Sequence, residues 1–382
     1  MTAHSAAPNS AAPNSTSSRS TSSRSRSARF RSSRFDDARF IDAAADLGPI
    51  ATRIVPIGVL TTYRVGGSAA IMARPRSVDD LLAIAATMRR FELPAVVIGR
   101  GSNMLVADAG FGGIAISLAD MAADHRIEDA DVVAGASVAL PQLARRVVAA
   151  GLTGFEWAVG VPGSVGGAVR MNAGGHGSDM SACLVDIAIV DLHIAVSCRL
   201  AASRLGLRFR GSDLADHQVV VDARLRFAPG DRSLSEAELN EIVRWRREHQ
   251  PGGQNAGSVF VNPIPGELSA GELIDRVGLR GTVLGSASVS DKHANFIQGS
   301  NGGSAADVVA LIESVRARVA AETGFVLRSE VRLVGFDDVE VDVNPGVDVN
   351  PGVDVNPGVD VNPGVDATVG RVDEGDGTGG PA

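Results

Sequence analysis

The chain has 382 residues, 45% of them hydrophobic and 21% charged, with a formal net charge of −8. That length allows two or three domains around a sizeable core; no apolar run approaches a membrane span or the apolar centre of a secretory signal. The acidic balance argues against broad nucleic-acid affinity. The two cysteines, Cys183 and Cys198, give no disulfide framework and no metal-ligand cluster, so both read as plain buried thiols of a cytoplasmic protein.

Residues 5–40 step through near-repeats of five: "SAAPN" twice, "TSSRS" twice, then "RSARF", "RSSRF" and "DDARF". Serine, arginine and proline cannot bury enough apolar surface to offset their ordering entropy, so residues 1–47 are predicted as a disordered tail rather than an arginine arm for nucleic acid or membranes. At the other end "VDVNPG" occurs four times between Val341 and Gly364. A proline in every copy argues against a calcium-binding β-roll, and residues 337–382 are predicted as a disordered acidic spacer.

Between about residues 48 and 336 helices and strands alternate. "SVDDLLAIAATMRRFELP" carries an N-cap at Ser77, acids at Asp79 and Asp80, and arginines in its last turn, which predicts a helix. "AVVIG" is a short buried strand ending in a glycine loop, and "SVALPQLARRVVAAGL" a second helix closed by Gly151. "VDIAIVDLHIAVS" and "HQVVVDARLRFAP" alternate like strands. "SAADVVALIESVRARVAAETG" is the clearest helix: Ser304 caps it, Val308, Leu311, Ile312, Val315 and Val319 share a face, and Gly324 ends it. Composition shifts at "APGDRSLSEAELNEIVRWRREHQPGG", which places a junction near residue 230. The expectation is an α+β protein with a nucleotide-holding part over 48–230 and a smaller part over 231–336.

Two glycine loops stand out. "VVIGRGSNMLVAD" begins like a dinucleotide fingerprint at Gly99 and Gly101, but Met104 stands where the third glycine belongs, and strand-and-turn material follows instead of a helix. A turn remains in which Gly99, Arg100, Gly101, Ser102, Asn103 and Met104 offer backbone amides and polar side chains to an anion. The second stretch, "GVPGSVGGAVRMNAGGHG", has seven glycines. Pro162 stiffens its start; Gly163, Gly166, Gly167, Ala168 and Gly177 leave a bare wall suited to a flat ring or a pyrophosphate, with Asn172 as its one amide side chain. His176 reads most simply as a surface or packing histidine.

"GRGSNMLVAD", "GVPGSVGGAVRMNAGGHG", "NAGSVFVNP", "LIDRVGLRG", "VSDKHANFI" and "LRSEVRLVG" occur in this order, and together they resemble the UDP-N-acetylenolpyruvoylglucosamine reductase (UDP-N-acetylmuramate dehydrogenase) family over roughly residues 50–336. The resemblance implies an FAD-binding domain of the vanillyl-alcohol-oxidase (PCMH-type) fold in two subdomains, followed by a substrate-binding α+β domain. It implies non-covalent FAD, NADPH as co-substrate, and reduction of UDP-N-acetylglucosamine enolpyruvate in peptidoglycan precursor synthesis, with no nucleic-acid or membrane partner and no metal. The two glycine loops then become walls of one FAD site.

The same resemblance implies the catalytic residues. The family's arginine segment matches "LRFRGSDL", giving Arg210, with Phe209 and Gly211 in place of the usual tyrosine and aspartate. Arg208 is the neighbouring candidate, and strand alternation would aim both arginines to one face. Ser258 of "NAGSVFVNP" matches the proton donor, with Val261 where a lysine is usual, and Glu330 of "LRSEVRLVG" is the third residue. Taken alone, these would be solvent-facing arginines, a loop serine and one half of a Glu330–Arg332 surface pair. For the substrate the matches are Arg246, Asn262, Arg280 and, more loosely, Lys292 and His293, with Arg332 near the substrate or Glu330. Tyr63 is the single tyrosine, and no insertion lies between Arg226 and Arg247, which points to the branch without a tyrosine loop. The alternatives are another FAD oxidoreductase of the same fold, for which His176 is the one candidate covalent tether in the loops, and a catalytically degenerate FAD-binding relative.

Overall fold

The structure, a computed structural model, describes residues 34–336. The tail expectations for residues 1–33 and 337–382 lie outside the described residues. Residues 34–47 are folded, which corrects the tail boundary at residue 47. Helix α1 (Ala38–Leu47) begins at Asp37, whose carboxylate accepts the Arg39 N–H, and it buries Phe40, Ala43 and Leu47 with Phe35 alongside. "DDARF" reads as one more repeat, yet it supplies an N-cap and the first apolar residue of an amphipathic helix.

Strand β1 (Ala51–Pro56), β2 (Ser68–Ala73), helix α2 (Val78–Phe91), β3 (Ala95–Val97), β4 (Met104–Val106) and β5 (Phe111–Ile116) follow. Four of the strands form a sheet in the order β1-β2-β5-β3, antiparallel only between β1 and β2. The predicted capping of α2 is present: the Asp80 N–H donates to Ser77 Oγ, and Glu92 closes the helix in the left-handed region.

A hairpin of β6 (His125–Glu128) and β7 (Asp131–Gly135) leads into α3 (Leu140–Ala149), β8 (Leu152–Thr153) and the short helix α4 (Val165–Met171). After a tight hairpin, β9 (Gly174–Gly175) and β10 (Ser178–Asp179), come β11 (Leu184–Asp191), β12 (Val196–Ala201) and β13 (Gln218–Arg226). These build a five-stranded antiparallel sheet in the order β12-β11-β13-β7-β6. The two alternating runs therefore are strands, as their period-2 pattern predicts. Leu81, Ile84, Ile116, Leu143, Val147, Ile187 and Ala223 belong to one core shared by both sheets. Cys183 lies in that core, where burial pushes its thiol up to about 12. Cys198 does not: it is exposed on the edge strand β12, which corrects the expectation of two buried thiols.

β14 (Ala228–Pro229) pairs with β8, and helix α5 (Arg232–His249) buries Leu239 and Ile242 in the first core. The change of core thus falls after α5. A second core collects Phe260, Leu273 and Ile274 with Ile297, Leu311 and Val315. It is formed from α6 (Ala270–Arg276), β15 (Val283–Leu284), β16 (Ala287–Val289), β17 (Ile297–Gly299) and α7 (Ala305–Thr323), and Tyr63, Val65 and Leu105 from the N-terminal half insert into it. α7 has the predicted Ser304 cap, buried face and Gly324 terminus.

The halves are stitched at two further points. The last strand, β18 (Arg332–Val334), runs parallel to β4 with Arg332 opposite Met104. Asp108, just past β4, accepts the Ser304 hydroxyl at 2.6 Å and the N–H groups of Ala305 and Ala306 at 3.1 Å each, so it caps α7 from the other half of the chain.

Candidate active site

The first glycine loop, residues 99–104, joins β3 to β4. Gly101 has φ +61°, and a Cβ there would lie 2.6 Å from Leu60 O and Thr61 Cα, so only glycine fits. Its carbonyl accepts the Thr62 N–H at 3.0 Å, which seats the loop on "TTYRVGG". The N–H groups of Arg100, Gly101, Ser102 and Asn103 find no acceptor among the described residues. Consecutive unspent amides of this kind form an anion-binding concavity.

The second stretch lies directly against the first: a Cβ on Gly99 would be 2.6 Å from Ser164 Oγ, and one on Gly163 would be 3.6 Å from Ser102 Oγ. It is not a bare wall throughout. Residues 165–171 form α4, and the N–H groups of Val165 and Gly166 are spent on the carbonyls of Val138 and Ala136. Gly166 is small because a Cβ would come 2.9 Å from that of Ala136, a packing constraint rather than ligand space. Ala168 lies on the buried face of α4. The open positions are the exposed Pro162 and Gly167, Gly163 between them, and Gly175 and Gly177, where a Cβ would meet nothing within 4 Å. His176 and Gly177, both with positive φ, form the two-residue turn of the β9–β10 hairpin. His176 meets Trp245 of α5 edge-on at 5.2 Å, and burial and the neighbouring Arg246 hold its pKa below the usual histidine value.

Asn172 spends its side-chain amide within the protein. It ends α4 at φ +40° and is buried; its Nδ2 donates to Asp179 at 3.0 Å and to Arg208 O at 3.1 Å, while Oδ1 accepts the Ser181 N–H at 2.9 Å. With both amide protons spent on protein acceptors, Asn172 ties three segments together.

One of those segments carries the candidate catalytic arginine. "LRFRGSDL" is a tight turn, not the expected strand: the N–H groups of Arg208 and Gly211 each donate to the other's carbonyl, and Arg210 sits at φ +57°. The two arginines therefore part. Arg208 Nη1 reaches Asp213 at 2.6 Å, whereas Arg210 Nη1 donates to Gly174 O at 2.9 Å and its Nε lies 3.7 Å from Glu330 Oε2. The Phe209 ring lies 5.2 Å from the Arg210 guanidinium carbon. Ser212 Oγ, bonded to Arg170 O at 2.6 Å, anchors the far side of the turn.

Glu330 is held by its main chain: its N–H donates to Val259 O at 2.8 Å, and its carbonyl accepts Asn103 Nδ2 at 2.8 Å. Burial pushes its carboxyl pKa up against the opposing pull of Arg210 and Arg328. Ser258 immediately precedes Val259 and is half-buried; its hydroxyl has no hydrogen-bond partner among the described residues. Arg210, Ser258 and Glu330 are thus brought to one place by a turn, a loop and the segment before β18. Asn295, absent from the sequence-derived candidates, fixes the Ser258 side: its side chain both donates to and accepts from the Phe260 main chain, at 2.8 and 2.9 Å, and its carbonyl takes the Val259 N–H at 2.9 Å. The one signal for it in the sequence is a lone amide between Ala294 and the apolar Phe296 and Ile297.

Residues 69–192 match the FAD binding domain family, and residues 249–334 match the family of the UDP-N-acetylenolpyruvoylglucosamine reductase C-terminal domain. A UDP-N-acetylenolpyruvoylglucosamine reductase of Heliobacterium modesticaldum is 42% identical over 289 residues, 75% of this chain and 91% of that protein. One from Gloeobacter violaceus is 40% identical over 284 residues, 74% of this chain and 95% of that protein. The crystal structure of the reductase from Thermus caldophilus is similar with a TM-score of 0.63 and 32% identity, covering 73% of this chain and 97% of that one. The chain belongs to the UDP-N-acetylenolpyruvoylglucosamine reductase family. The α+β fold with its FAD-binding domain, and the FAD- and NADPH-dependent reductase activity that the resemblance implies, are those of this family.

The residues present fit the flavin adenine dinucleotide of these reductases. The unspent amides from Arg100 to Asn103 suit its pyrophosphate, and the open sides of Gly163, Gly175 and Gly177 leave space beside them.

The outlying cations are unevenly disposed. Arg246 of α5 packs its side chain on Gly160, where burial lowers its pKa, and it forms no ion pair or hydrogen bond through its guanidinium among the described residues. Asn262 Oδ1 accepts the Ala270 N–H at 3.2 Å. Arg280 is forked on Asp275, at 2.8 and 2.7 Å, and also donates to Asp291 O. His293 accepts the Asn295 N–H at 3.2 Å, and burial with the nearby Arg280 lowers its pKa. Lys292 is bonded to Arg247 O. Arg332 does not pair with Glu330: its Nη2 lies 3.0 Å from Asp216 Oδ2. Among the described residues no helix is long and apolar enough to cross a membrane.

Proposed function

We propose that the chain reduces the enolpyruvyl ether of UDP-N-acetylglucosamine enolpyruvate to UDP-N-acetylmuramate at the expense of NADPH, with Arg210, Ser258 and Glu330 as its catalytic residues. The observation that carries the reading is the Arg210–Glu330 pair beside the loop that presents Ser258. When bound, the flavin supplies the hydride that adds to the outer carbon of the enolpyruvyl group. Negative charge then grows on the inner carbon and its carboxylate. The Arg210 guanidinium, fixed by Gly174 O and Glu330, is preorganised to stabilise that charge. Ser258 Oγ, without a hydrogen-bond partner among the described residues, gives its proton to the inner carbon; the nearby cation lowers the cost of the alkoxide left behind. Glu330 orients Arg210, and its raised pKa suits a group that holds a proton near the serine.

In this reading the loop from Gly99 to Met104 holds the pyrophosphate of FAD, and Pro162, Gly163, Gly167 and Gly177 line the rest, with Gly166, Ala168 and Asn172 supporting from behind. Arg246, whose guanidinium has no ion pair or hydrogen bond among the described residues, is the strongest candidate for the substrate diphosphate. Asn262, His293 and Arg332 follow, and Arg280 serves only by leaving Asp275. The cofactor-holding part extends through α5, and the substrate-binding part begins after it, because Leu239 and Ile242 sit in the first core. The reaction calls for no nucleic-acid or membrane partner and belongs in the cytoplasm, where NADPH and sugar nucleotides are found.

The test is anaerobic. NADPH should bleach the bound flavin, and UDP-N-acetylglucosamine enolpyruvate should restore its colour with formation of UDP-N-acetylmuramate. Reduction by NADPH without reoxidation by that compound would sink the reading.

A further inference from the structure

Beside the catalytic pair stand two more arginines that share one exposed carboxylate. Arg170, on α4, and Arg332, on β18, both pair with Asp216, in the second case at 3.0 Å. Each arginine is tied to one member of the pair. Arg332 lies two residues past Glu330, and its N–H donates to Asn103 O at 3.0 Å. The carbonyl of Arg170 accepts the hydroxyl of Ser212, two residues past Arg210.

The partners are unequal. The two guanidinium side chains are 28% and 32% exposed, whereas that of Asp216 is 67% exposed. Burial and the charge of Arg332 both lower the pKa of Arg170, so the arginines are close enough to repel and need an anion between them. An exposed carboxylate in an ion pair is weakly held and readily exchanged with solvent. Two planar guanidinium forks converging on one point suit a tetrahedral oxyanion carrying two charges better than a single carboxylate.

We propose that Arg170 and Arg332 form a phosphate-binding subsite at the rim of the active site, and that Asp216 is an internal stand-in which the phosphate of a reactant displaces. The phosphate comes either from the 2′-phosphate of NADPH or from the diphosphate of the sugar nucleotide. Asp216 swings out on binding and returns on release, so the arginines are never left to repel each other unscreened. The proposal rests on the reading of Arg210 and Glu330 as the catalytic pair, since that makes this rim the one a reactant meets.

The experiment uses the FAD-loaded enzyme and its Asp216→Asn and Arg170→Gln variants. It measures the Kd of NADPH and of NADH from the concentration dependence of flavin reduction, and the Kd of UDP-N-acetylglucosamine, an unreactive diphosphate probe, from the flavin absorbance change. Removing a competitor worth an exposed ion pair should tighten the phosphate ligand about two- to fivefold in Asp216→Asn. Losing a charged donor should weaken it about tenfold or more in Arg170→Gln. Opposite shifts in the two variants for NADPH but not NADH support the subsite and assign it the 2′-phosphate. Opposite shifts for UDP-N-acetylglucosamine alone support it and assign it the diphosphate. No shift in Asp216→Asn, an isosteric change at an exposed side chain, or equal shifts for NADPH and NADH with the probe unmoved, overturns the proposal. Failure of the catalytic reading would look different: variants at Arg210 would turn over normally whatever these affinities did.

Discussion

Asn103 holds Glu330 through the main chain: its side-chain amide donates to the Glu330 carbonyl at 2.8 Å, and its own carbonyl accepts the N–H of Arg332 at 3.0 Å. A residue of the first glycine loop thus fixes the segment that carries Glu330. Asn103→Ala should cost about 0.5–1.5 kcal/mol for the lost hydrogen bond, and it should weaken FAD retention and turnover together. Asn103→Asp should be worse than alanine, because it sets a carboxylate against a carbonyl. Thermal unfolding followed by released flavin fluorescence, beside steady-state rates, checks the order.

The divergence of Arg208 and Arg210 gives an internal control. Arg210→Gln should slow flavin reoxidation by the enolpyruvyl substrate by roughly 10²–10³-fold, the scale of one preorganised transition-state contact. Arg208→Gln removes an exposed pair with Asp213 and should change that rate less than threefold, within what surface ion pairs contribute. A larger defect at Arg208 would reverse the assignment.

Ser258→Ala should leave reduction of the flavin by NADPH intact and slow the second half-reaction by roughly 10²–10⁴-fold, the usual worth of acid catalysis. Stopped-flow traces of the two halves separate the cases. Equal losses in both would remove the serine from the role of proton donor.

Glu330 makes a pH prediction with a definite sign. Its folded-state pKa is raised by burial, so the native state favours its proton. The stability it contributes is full below the ordinary carboxylate pKa and is lost as pH rises through the raised value. Glu330→Gln is neutral at every pH and escapes that loss. Its melting temperature relative to the parent should therefore climb as pH rises above the ordinary carboxylate range. A flat difference would mean that the carboxyl ionises normally.

Removing residues 1–33 should leave activity unchanged. Removing residues 1–47 should not, because Phe35, Phe40 and Leu47 leave the core with it, and one buried phenylalanine alone is worth about 3–5 kcal/mol. Circular dichroism melts of the two truncated proteins measure the contrast.

What the sequence made legible was local. The caps at Ser77 and Ser304, the faces of α2 and α7, and the alternation of β11 and β13 each follow from side chains a few residues apart. The failed third glycine at Met104 rightly excludes a dinucleotide fingerprint, since Met104 begins a strand. Less legible were residues whose role is set by distant partners. Nothing near Asn172 announces that its amide reaches across to Arg208 and Asp179. "LRFRGSDL" alternates like a strand, and only the reciprocal Arg208–Gly211 bonds turn it into the tight bend that sends its two arginines apart. Gly166 looks like ligand space until Ala136 is found behind it. Helix α1 was hidden for another reason: its first residues complete a disordered-looking repeat, while the surface they bury lies elsewhere in the chain.

The parallel pairing of β4 with β18 also governs when the enzyme can be born. The Asn103–Glu330 bond spans 227 residues, a separation that at ribosomal speeds of roughly 5–20 residues per second corresponds to some 10–45 seconds of synthesis. Until then β4 waits without its partner and Asp108 without the helix it caps. Nascent chains released early would carry both glycine loops but neither Glu330 nor the strand that closes them. The pairing that seats Glu330 beside the first glycine loop is thus among the last contacts of the fold to become available.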